Sequence, residues 1–479
     1  MSKGDQSRFM TSAEQMKQDL GPALCLAKWK QVSFHLPTGL NNSCYHPPLH
    51  QITADDLSRP GGLHNTAHKK QQRLMMLQGK KPTECQYCWN MENLDKLSDR
   101  HYRSGEPWAA VDLERIKNSS GQEDDVVPSY VEVNFNHACN LKCSYCSPQF
   151  SSSWGDEIER LGAYPTSKPH NAPEHFVGNR KPIPARETNP YVDAFWEWWP
   201  TLYPQLVHFR MTGGEPLMDR NTYRVFDYVL EHDNPQLHLN VTSNFSVEDA
   251  LFEKYMDYAK KLCTPRIEHF MQYVSLDSGV PLQAEYLRHG LDYARMARNV
   301  ERFLHEIPHR NSLTFIITMN NLTVTGLPAL LEWILELRKK HSTTYQRVWF
   351  DTPVLREPAW QSLQLLPESY AVQLERARDF MLANMVTESD PLHGFKDYEV
   401  QRLERDIAWM REGQLKDNTV AKADFYRFFN EHDQRRGTDF LIAFPVMRSW
   451  WAELLLTNGQ KCGTCSSPMQ MNRFGNCLI

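Results

Sequence analysis

Tyr130-Val-Glu-Val-Asn-Phe-Asn-His-Ala-Cys139-Asn-Leu-Lys-Cys143-Ser-Tyr-Cys146 is the stretch from which the rest of the chain is read. From Tyr130 to Phe135 apolar and polar residues alternate, as they do in a half-buried strand. Directly after that strand come three cysteines in a CxxxCxxC spacing. At this spacing one loop reaches three irons of a four-iron cube and leaves the fourth without a protein ligand, whereas such clusters normally take four cysteines. An open iron is a place for a substrate or cofactor to bind. The competing readings are coincidence and a zinc site with His137 as fourth ligand, although zinc favours four Cys or His ligands arranged in CxxC pairs.

Outward from this stretch the pattern repeats. Further strands are predicted at Val207–Met211, Leu237–Val241, Gln272–Leu276, Leu313–Met319 and Arg347–Phe350. Helical periodicity separates them. Thr222–Glu231 places Tyr223, Phe226, Val229 and Leu230 on one face, and Ser246 with Asp249 reads as a capping box opening a helix through Leu262. Tyr293–Leu304 and Leu327–Leu337 also fit a 3.6-residue period. Strands alternating with helices predict an α/β fold with a parallel sheet and right-handed crossovers. Six such units predict a partial (β/α)6 TIM-like barrel over residues 126–358, with its site at the C-terminal strand ends. Residues 147–205 are too long for a simple connection and carry Phe195-Trp-Glu-Trp-Trp199. They read as an insertion, either a lid or substrate wall or a helix pair whose aromatics enter the core. Residues 1–125 read as an irregular cysteine-rich segment ending in a polar linker at 116–127, and residues 359–479 as a mainly helical extension.

The second strand ends in Met211-Thr212-Gly213-Gly214-Glu215-Pro216. Glycines let backbone approach a ligand closely, and a carboxylate with free carbonyls suits an ammonium group. Taken together, the cysteine loop and this GGEP resemble the radical S-adenosylmethionine (SAM) superfamily. That resemblance implies a 4Fe–4S cluster on Cys139, Cys143 and Cys146 with SAM on its open iron. It also implies that Thr212, Gly213, Gly214 and Glu215 bind the SAM amino group and that Tyr145 lies over the adenine. Ser243 and Asn244 match the family's ribose- and methionine-binding strand end, Ser275 and Asp277 a further strand end, and Arg288 an arginine that pairs with the SAM carboxylate. The alternatives are a turn or helix cap for Ser243 and Asp277, and a surface salt bridge for Arg288.

Cys25, Cys44 and the pair Cys85-Gln-Tyr-Cys88 offer four more thiolates ahead of the strand. This segment resembles the SPASM/twitch extension of radical SAM enzymes, which implies an auxiliary 4Fe–4S cluster with all four irons ligated. A structural zinc site would satisfy the same four thiolates. Cys462, Cys465 and Cys477 leave three readings open: a further cluster or thiophilic-ion site, a redox thiol pair, or thiols with no shared role. Cys263 reads as a small buried hydrophobe, and His46 and His50 as packed or surface side chains rather than ligands.

The bulk composition bounds the partners. The 479 residues carry a net charge of −5 and no block of like charge, so neither nucleic acid nor an anionic membrane is expected. No apolar run approaches a membrane span, and the first residues lack a signal-peptide pattern. A soluble cytoplasmic protein is therefore expected, and in a large cytosolic chain eleven cysteines read as metal ligands or reactive thiols. The expected chemistry is reductive SAM cleavage driving radical modification of a peptide or small molecule, with an external electron donor of flavodoxin or ferredoxin type. Aminocarboxypropyl transfer from SAM to a thiol-bound acceptor is the alternative within the same family. A non-catalytic iron–sulfur or zinc protein, acting in electron transfer or as a binding module that pairs Cys85/Cys88 with Cys462/Cys465, is the alternative from another class.

Overall fold

The computed structural model describes residues 12–120, 125–176, 181–307 and 310–457. The expected strands are present as β4 (Tyr130–Asn134), β6 (His208–Thr212), β7 (Asn234–Ser243), β8 (Ile267–Ser275), β10 (Asn311–Ile316) and β11 (Val348–Asp351). They belong to a mostly parallel sheet of nine strands, completed by β1 (Gln31–His35), β2 (Leu40–Asn42) and β3 (His50–Gln51), in the order β11-β10-β8-β7-β6-β4-β1-β2-β3. A separate two-stranded ribbon pairs β5 (Lys142–Cys143) with β9 (Arg288–His289). The chain is thus α/β, and each of the six expected strands neighbours its successor in sequence.

The first 125 residues are more regular than their sequence suggests. β1 runs parallel to β4, with Gln31 opposite Tyr130 and His35 opposite Asn134, while β2 returns antiparallel to β1. β1 escapes a period-two reading because Gln31, Val32, Ser33 and Phe34 are all buried, so no polar face marks it. The expected linker at 116–127 also needs correction. Ile116 is a buried residue of the helix Leu113–Lys117, Val126 N–H donates to Asn65 Oδ1 at 3.1 Å, and Asp125 pairs with Arg59 at 2.6 Å.

Two compact units emerge. The first comprises Met1–Cys139, Phe176–Thr242 and Glu253–Met271. Its strands have one apolar face, where Val131, Val133, Phe209, Met211, Leu239 and Val241 are fully buried. Burial of each such side chain contributes about 1.5–3 kcal/mol. The helix Pro190–Leu202 covers part of this face, with Trp199 against Phe209 at 4.9 Å between ring centroids. The Phe195–Trp199 aromatics therefore enter the core, as the second reading of the insertion expected: Phe195, Trp198 and Trp199 are all buried. The helix Arg220–Glu231 buries Tyr223, Phe226 and Val229, the face its period predicts. The opposite face of the strands is polar. There Arg210 lies 3.5 Å from Glu132 and donates to Thr242 at 3.0 Å, and the His208 and His238 rings stack at 4.6 Å.

The second unit comprises Asn140–His175, Ser243–Phe252 and Gln272–Ile479. β10 and β11 pair in parallel, and the helices Tyr293–Glu306 and Leu327–His341 follow the predicted periodicity. The C-terminal extension is helical as expected, with Ala371–Ala383, Asp397–Glu412 and Thr419–Arg436 its longest helices. Arg338 on Leu327–His341 forms a buried ion pair with Glu399 on Asp397–Glu412 at 2.7 Å. The helix near Ser246 begins at Asp249, but Ser246 does not cap it: Ser246 Oγ accepts from Asp292 N–H at 2.8 Å.

Candidate functional site

In the first unit, four cysteines distant in sequence meet. Cys25 precedes the short helix Ala27–Lys30, and Cys44 follows β2. Cys85 ends the turn Thr83–Cys85 and Cys88 lies on Gln86–Asn93, so the pair is separated by about one helical turn. All four line one cavity with Lys28, Tyr45, His46, Trp89 and Arg100, with about 510 Å³ of empty space including its mouth. Cys85 and Cys88 are buried, Cys25 and Cys44 half-buried, and no disulfide joins them. Burial, reinforced by neighbouring thiols, pushes Cys44 up to about 11 and Cys88 up to about 12. Burial also raises Cys85 to about 12, against the opposing pull of the Lys28 ammonium. Lys28 is ion-paired with Glu84, and Arg100 with Glu92 at 2.7 Å. His46 bonds Asp99 at 2.6 Å and stacks on Tyr87 at 3.8 Å, so it is packed as expected. His50 bonds Thr66 Oγ1 at 3.0 Å.

Among the described residues, no group of three or more His, Cys, Asp or Glu is arranged to hold a single metal ion. Tetrahedral zinc at about 2.3 Å from each sulfur needs sulfurs only about 3.8 Å apart. A four-iron cube spreads its ligands more widely.

Also in the first unit, β4 and β6 run parallel, so the loops leaving their C-terminal ends emerge at one edge. The first leads to Cys139 and the second carries Gly213–Glu215. The two are locked together through backbone: Glu215 N–H donates to Ala138 C=O at 2.7 Å, and Gly214 N–H to Asn136 C=O at 3.4 Å. Gly213 has φ +119°, and a Cβ there would fall 2.0 Å from Asn134 Oδ1; one on Gly214 would fall 2.2 Å from Ala138 O. Both positions therefore require glycine. Asn134 is buried at the end of β4, and its Oδ1 has no hydrogen-bond partner among the described residues. Glu215 is buried and accepts from Leu217 N–H at 3.0 Å. Thr212, the last residue of β6, is half-buried.

The second unit holds the rest of the cysteine loop. Cys143 lies on β5 with Arg288 of β9 as its direct cross-strand partner. Arg288 Nη1 donates to Cys143 Sγ at 3.5 Å, while Nη2 donates to Asp277 Oδ1 at 3.0 Å and Nε lies 2.9 Å from Oδ2. Asp277 is fully buried and also accepts from Tyr145 O–H at 2.7 Å and Thr318 N–H at 2.9 Å. The Arg288 guanidinium sits 5.7 Å from the centre of the Tyr145 ring. Burial pushes the Cys146 thiol up to about 12, with Cys143 adding to the effect. The Cys143 thiol is also raised by burial, against the pull of Arg288. Ser243 Oγ accepts from Phe245 N–H at 3.0 Å, a turn contact, and Ser275 is the half-buried last residue of β8.

No family model matches the chain, and no curated protein matches it.

The structure brings Tyr145, Asp277 and Arg288 together with Cys143 as one hydrogen-bonded and ion-paired network. It also supplies residues that the sequence reading passed over. Asn140, between the first two cysteines, donates to Ser246 C=O at 3.0 Å and accepts from Asn244 Nδ2 at 2.8 Å, pinning the loop to the turn after β7. Trp154 Nε1 donates to Cys143 C=O at 2.9 Å, and Arg436 donates to Lys142 C=O at 2.8 Å. The spacing of Asn140 within the motif was a signal; nothing in the sequence marks Arg436. In the first unit, residues 183–189 of the insertion line a second cavity, with about 1120 Å³ of empty space including its mouth, together with Phe135, Asn136 and Met218–Asn221. Cys263 is half-buried rather than fully enclosed. Cys462, Cys465 and Cys477 lie outside the described residues.

Among the described residues, no helix is long and apolar enough to cross a membrane.

Proposed function

We propose that this chain is a radical SAM enzyme with a partial (β/α)6 barrel at its core and an auxiliary cluster in its N-terminal region. The observation that carries the reading is the union of two motifs at one sheet edge. The loop that opens the CxxxCxxC segment is held, through its own backbone, by the Gly213-Gly214-Glu215 turn of the next strand. A coincidental cysteine triplet has no need of that arrangement. The sequential winding β4-β6-β7-β8-β10-β11 supports a barrel rather than a doubly wound sheet, whose strand order reverses.

The donor sets fit the groups. Cys139, Cys143 and Cys146 would hold the first cluster, leaving one iron open. When SAM binds there, the cluster supplies the electron that breaks one of its carbon–sulfur bonds. Gly213–Glu215 offer close backbone and a buried carboxylate, and the partnerless Asn134 Oδ1 is a buried acceptor beneath them. Cys25, Cys44, Cys85 and Cys88 would hold the auxiliary cluster. They line one shared cavity. Trp154, Asn140 and the β5–β9 ribbon fix the loop. The substrate is a peptide or small molecule, and an external flavodoxin- or ferredoxin-type donor supplies the electron.

The test is anaerobic purification, an iron and sulfide count, and incubation with dithionite and SAM. About eight irons per chain are expected on the two-cluster assignment, with release of 5′-deoxyadenosine. Cys143→Ala should abolish SAM cleavage, and persistent cleavage would remove the central assignment. Cys85→Ala with Cys88→Ala should lower the iron count by about four. Zinc in place of iron, or intact reducible iron without SAM cleavage, would favour the binding-protein alternative. A different SAM fragment would indicate aminocarboxypropyl transfer.

A further inference from the structure

We infer that Arg288 is a positioning residue of the cysteine loop: anchored by Asp277, it donates a hydrogen bond to Cys143 Sγ and thereby raises the reduction potential of the cluster that this sulfur would hold. The inference rests on the cluster assignment proposed above and adds a role that the family resemblance does not give, since the resemblance assigns Arg288 to the SAM carboxylate.

Geometry argues for the sulfur over the carboxylate. Arg288 and Cys143 are cross-strand partners in the β5–β9 ribbon, so their approach is set by backbone register rather than by a flexible side chain alone. The neighbouring backbone bond, Ser144 N–H to Leu287 C=O at 2.8 Å, holds the same register. A guanidinium recognises a carboxylate through two N–H groups on one edge of its fork. Here Asp277 already lies along such an edge, with Oδ1 accepting from Nη2 at 3.0 Å and Oδ2 in ion-pair contact 2.9 Å from Nε, which makes no hydrogen bond among the described residues. Arg288 and Asp277 are 7% and 0% exposed in their side chains, so water does not compete for either. The remaining nitrogen, Nη1, is the one directed at Cys143 Sγ, at 3.5 Å.

The consequence is electrostatic. Reduction adds one negative charge to a cluster and spreads part of it onto the ligating sulfurs. A fixed cation donating to one of those sulfurs stabilises the reduced state more than the oxidised state. Hydrogen bonds to sulfur are among the factors that set iron–sulfur potentials, and partners beyond the ligands commonly tune a metal site.

The experiment is an EPR-monitored redox titration of the anaerobically purified full chain without SAM, following the signal that shifts when SAM is added to the wild type. At the wild-type midpoint, Arg288→Gln should lower the ratio of reduced to oxidised cluster about tenfold, which is 59 mV for one electron. Asp277→Asn provides a second variant: it keeps the guanidinium beside Cys143 but removes the carboxylate that neutralises it, and should move the same ratio in the opposite direction, toward the reduced cluster. Arg288→Lys keeps charge without the planar fork and should fall between Gln and wild type. A loaded cluster with an unchanged ratio in both Arg288→Gln and Asp277→Asn overturns this inference alone and returns Arg288 to ligand binding. A wild-type chain without a SAM-responsive cluster overturns the proposed function and this inference with it.

Discussion

Replacing Asp277 by asparagine removes one charge from a buried ion pair beside the cysteine loop and leaves its shape intact. The carboxylate is fully buried and accepts from three donors, Tyr145 O–H, Thr318 N–H and Nη2 of Arg288, while Nε of Arg288 lies 2.9 Å from Oδ2 as an ion-pair contact. Asparagine can keep its oxygen toward Thr318 and Nη2 and turn its amide toward the Tyr145 hydroxyl, which rotates to accept. It cannot neutralise Arg288, and its amide sets a donor against Nε where the carboxylate oxygen lay. Breaking a buried pair by removing one partner costs about 3–5 kcal/mol, because the stranded charge stays out of water. At about 2–4 °C per kcal/mol for a unit of this size, a loss of about 4 kcal/mol lowers the unfolding midpoint by about 8–16 °C. Thermal unfolding followed by circular dichroism on the anaerobically purified chain measures it. The same scan on Asp277→Asn/Arg288→Gln should recover part of the loss, since the double variant strands no charge; a coupling of that sign is what contacting residues give. A midpoint for Asp277→Asn within 2 °C of wild type, or a double variant as low as the sum of the singles, refutes the argument.

Two further predictions concern pH. Glu157 is held at about 2, because Arg436, Lys142 and Tyr164 together outweigh the cost of its burial. Its folded value lies below the unfolded one, so it contributes stability above about pH 4.3 that is lost as pH falls toward 2; Glu157→Gln should flatten the midpoint-versus-pH curve in that window. Asp406 is pushed by burial to about 7, and its Oδ2 has no hydrogen-bond partner among the described residues. Its folded value is raised, so the destabilisation sets in as pH climbs from about 4 and is complete above 7; Asp406→Asn should raise the unfolding midpoint at pH 8 and leave it unchanged near pH 4.

Most of the six central strands were legible because buried apolar residues alternate along them with polar ones. β4 shows it plainly: Val131 and Val133 are fully buried, while Tyr130 and Glu132 are half-buried on the other side. β1 to β3 were not legible, because β1 is covered on both faces and Leu40-Asn-Asn42 has no apolar pattern to read. Asn41 is buried there only because its amide donates to Leu63 C=O at 2.6 Å, a contact set by tertiary structure. The N-terminal thiols were legible as a set by residue type alone. That they would meet in one cavity depended on those same three unread strands, since Cys44 lies immediately after β2.

The candidate site shows a second limit, and it has a physical cause. A sequence reading assigns each polar residue at a strand end to a ligand, one by one. In a buried setting those residues must first satisfy each other, because an unpaired polar group there costs more than a hydrogen bond returns. Asp277, Tyr145 and Arg288 do so, as do Asn140, Asn244 and Ser246. On the proposed function, what serves an incoming group is therefore narrower than the motif list: the cluster-ligating thiols, the close backbone at Gly213 and Gly214, and Asn134 Oδ1. The remaining named residues act on that small set by holding it in place, which is why Arg288 is read here through the sulfur it touches.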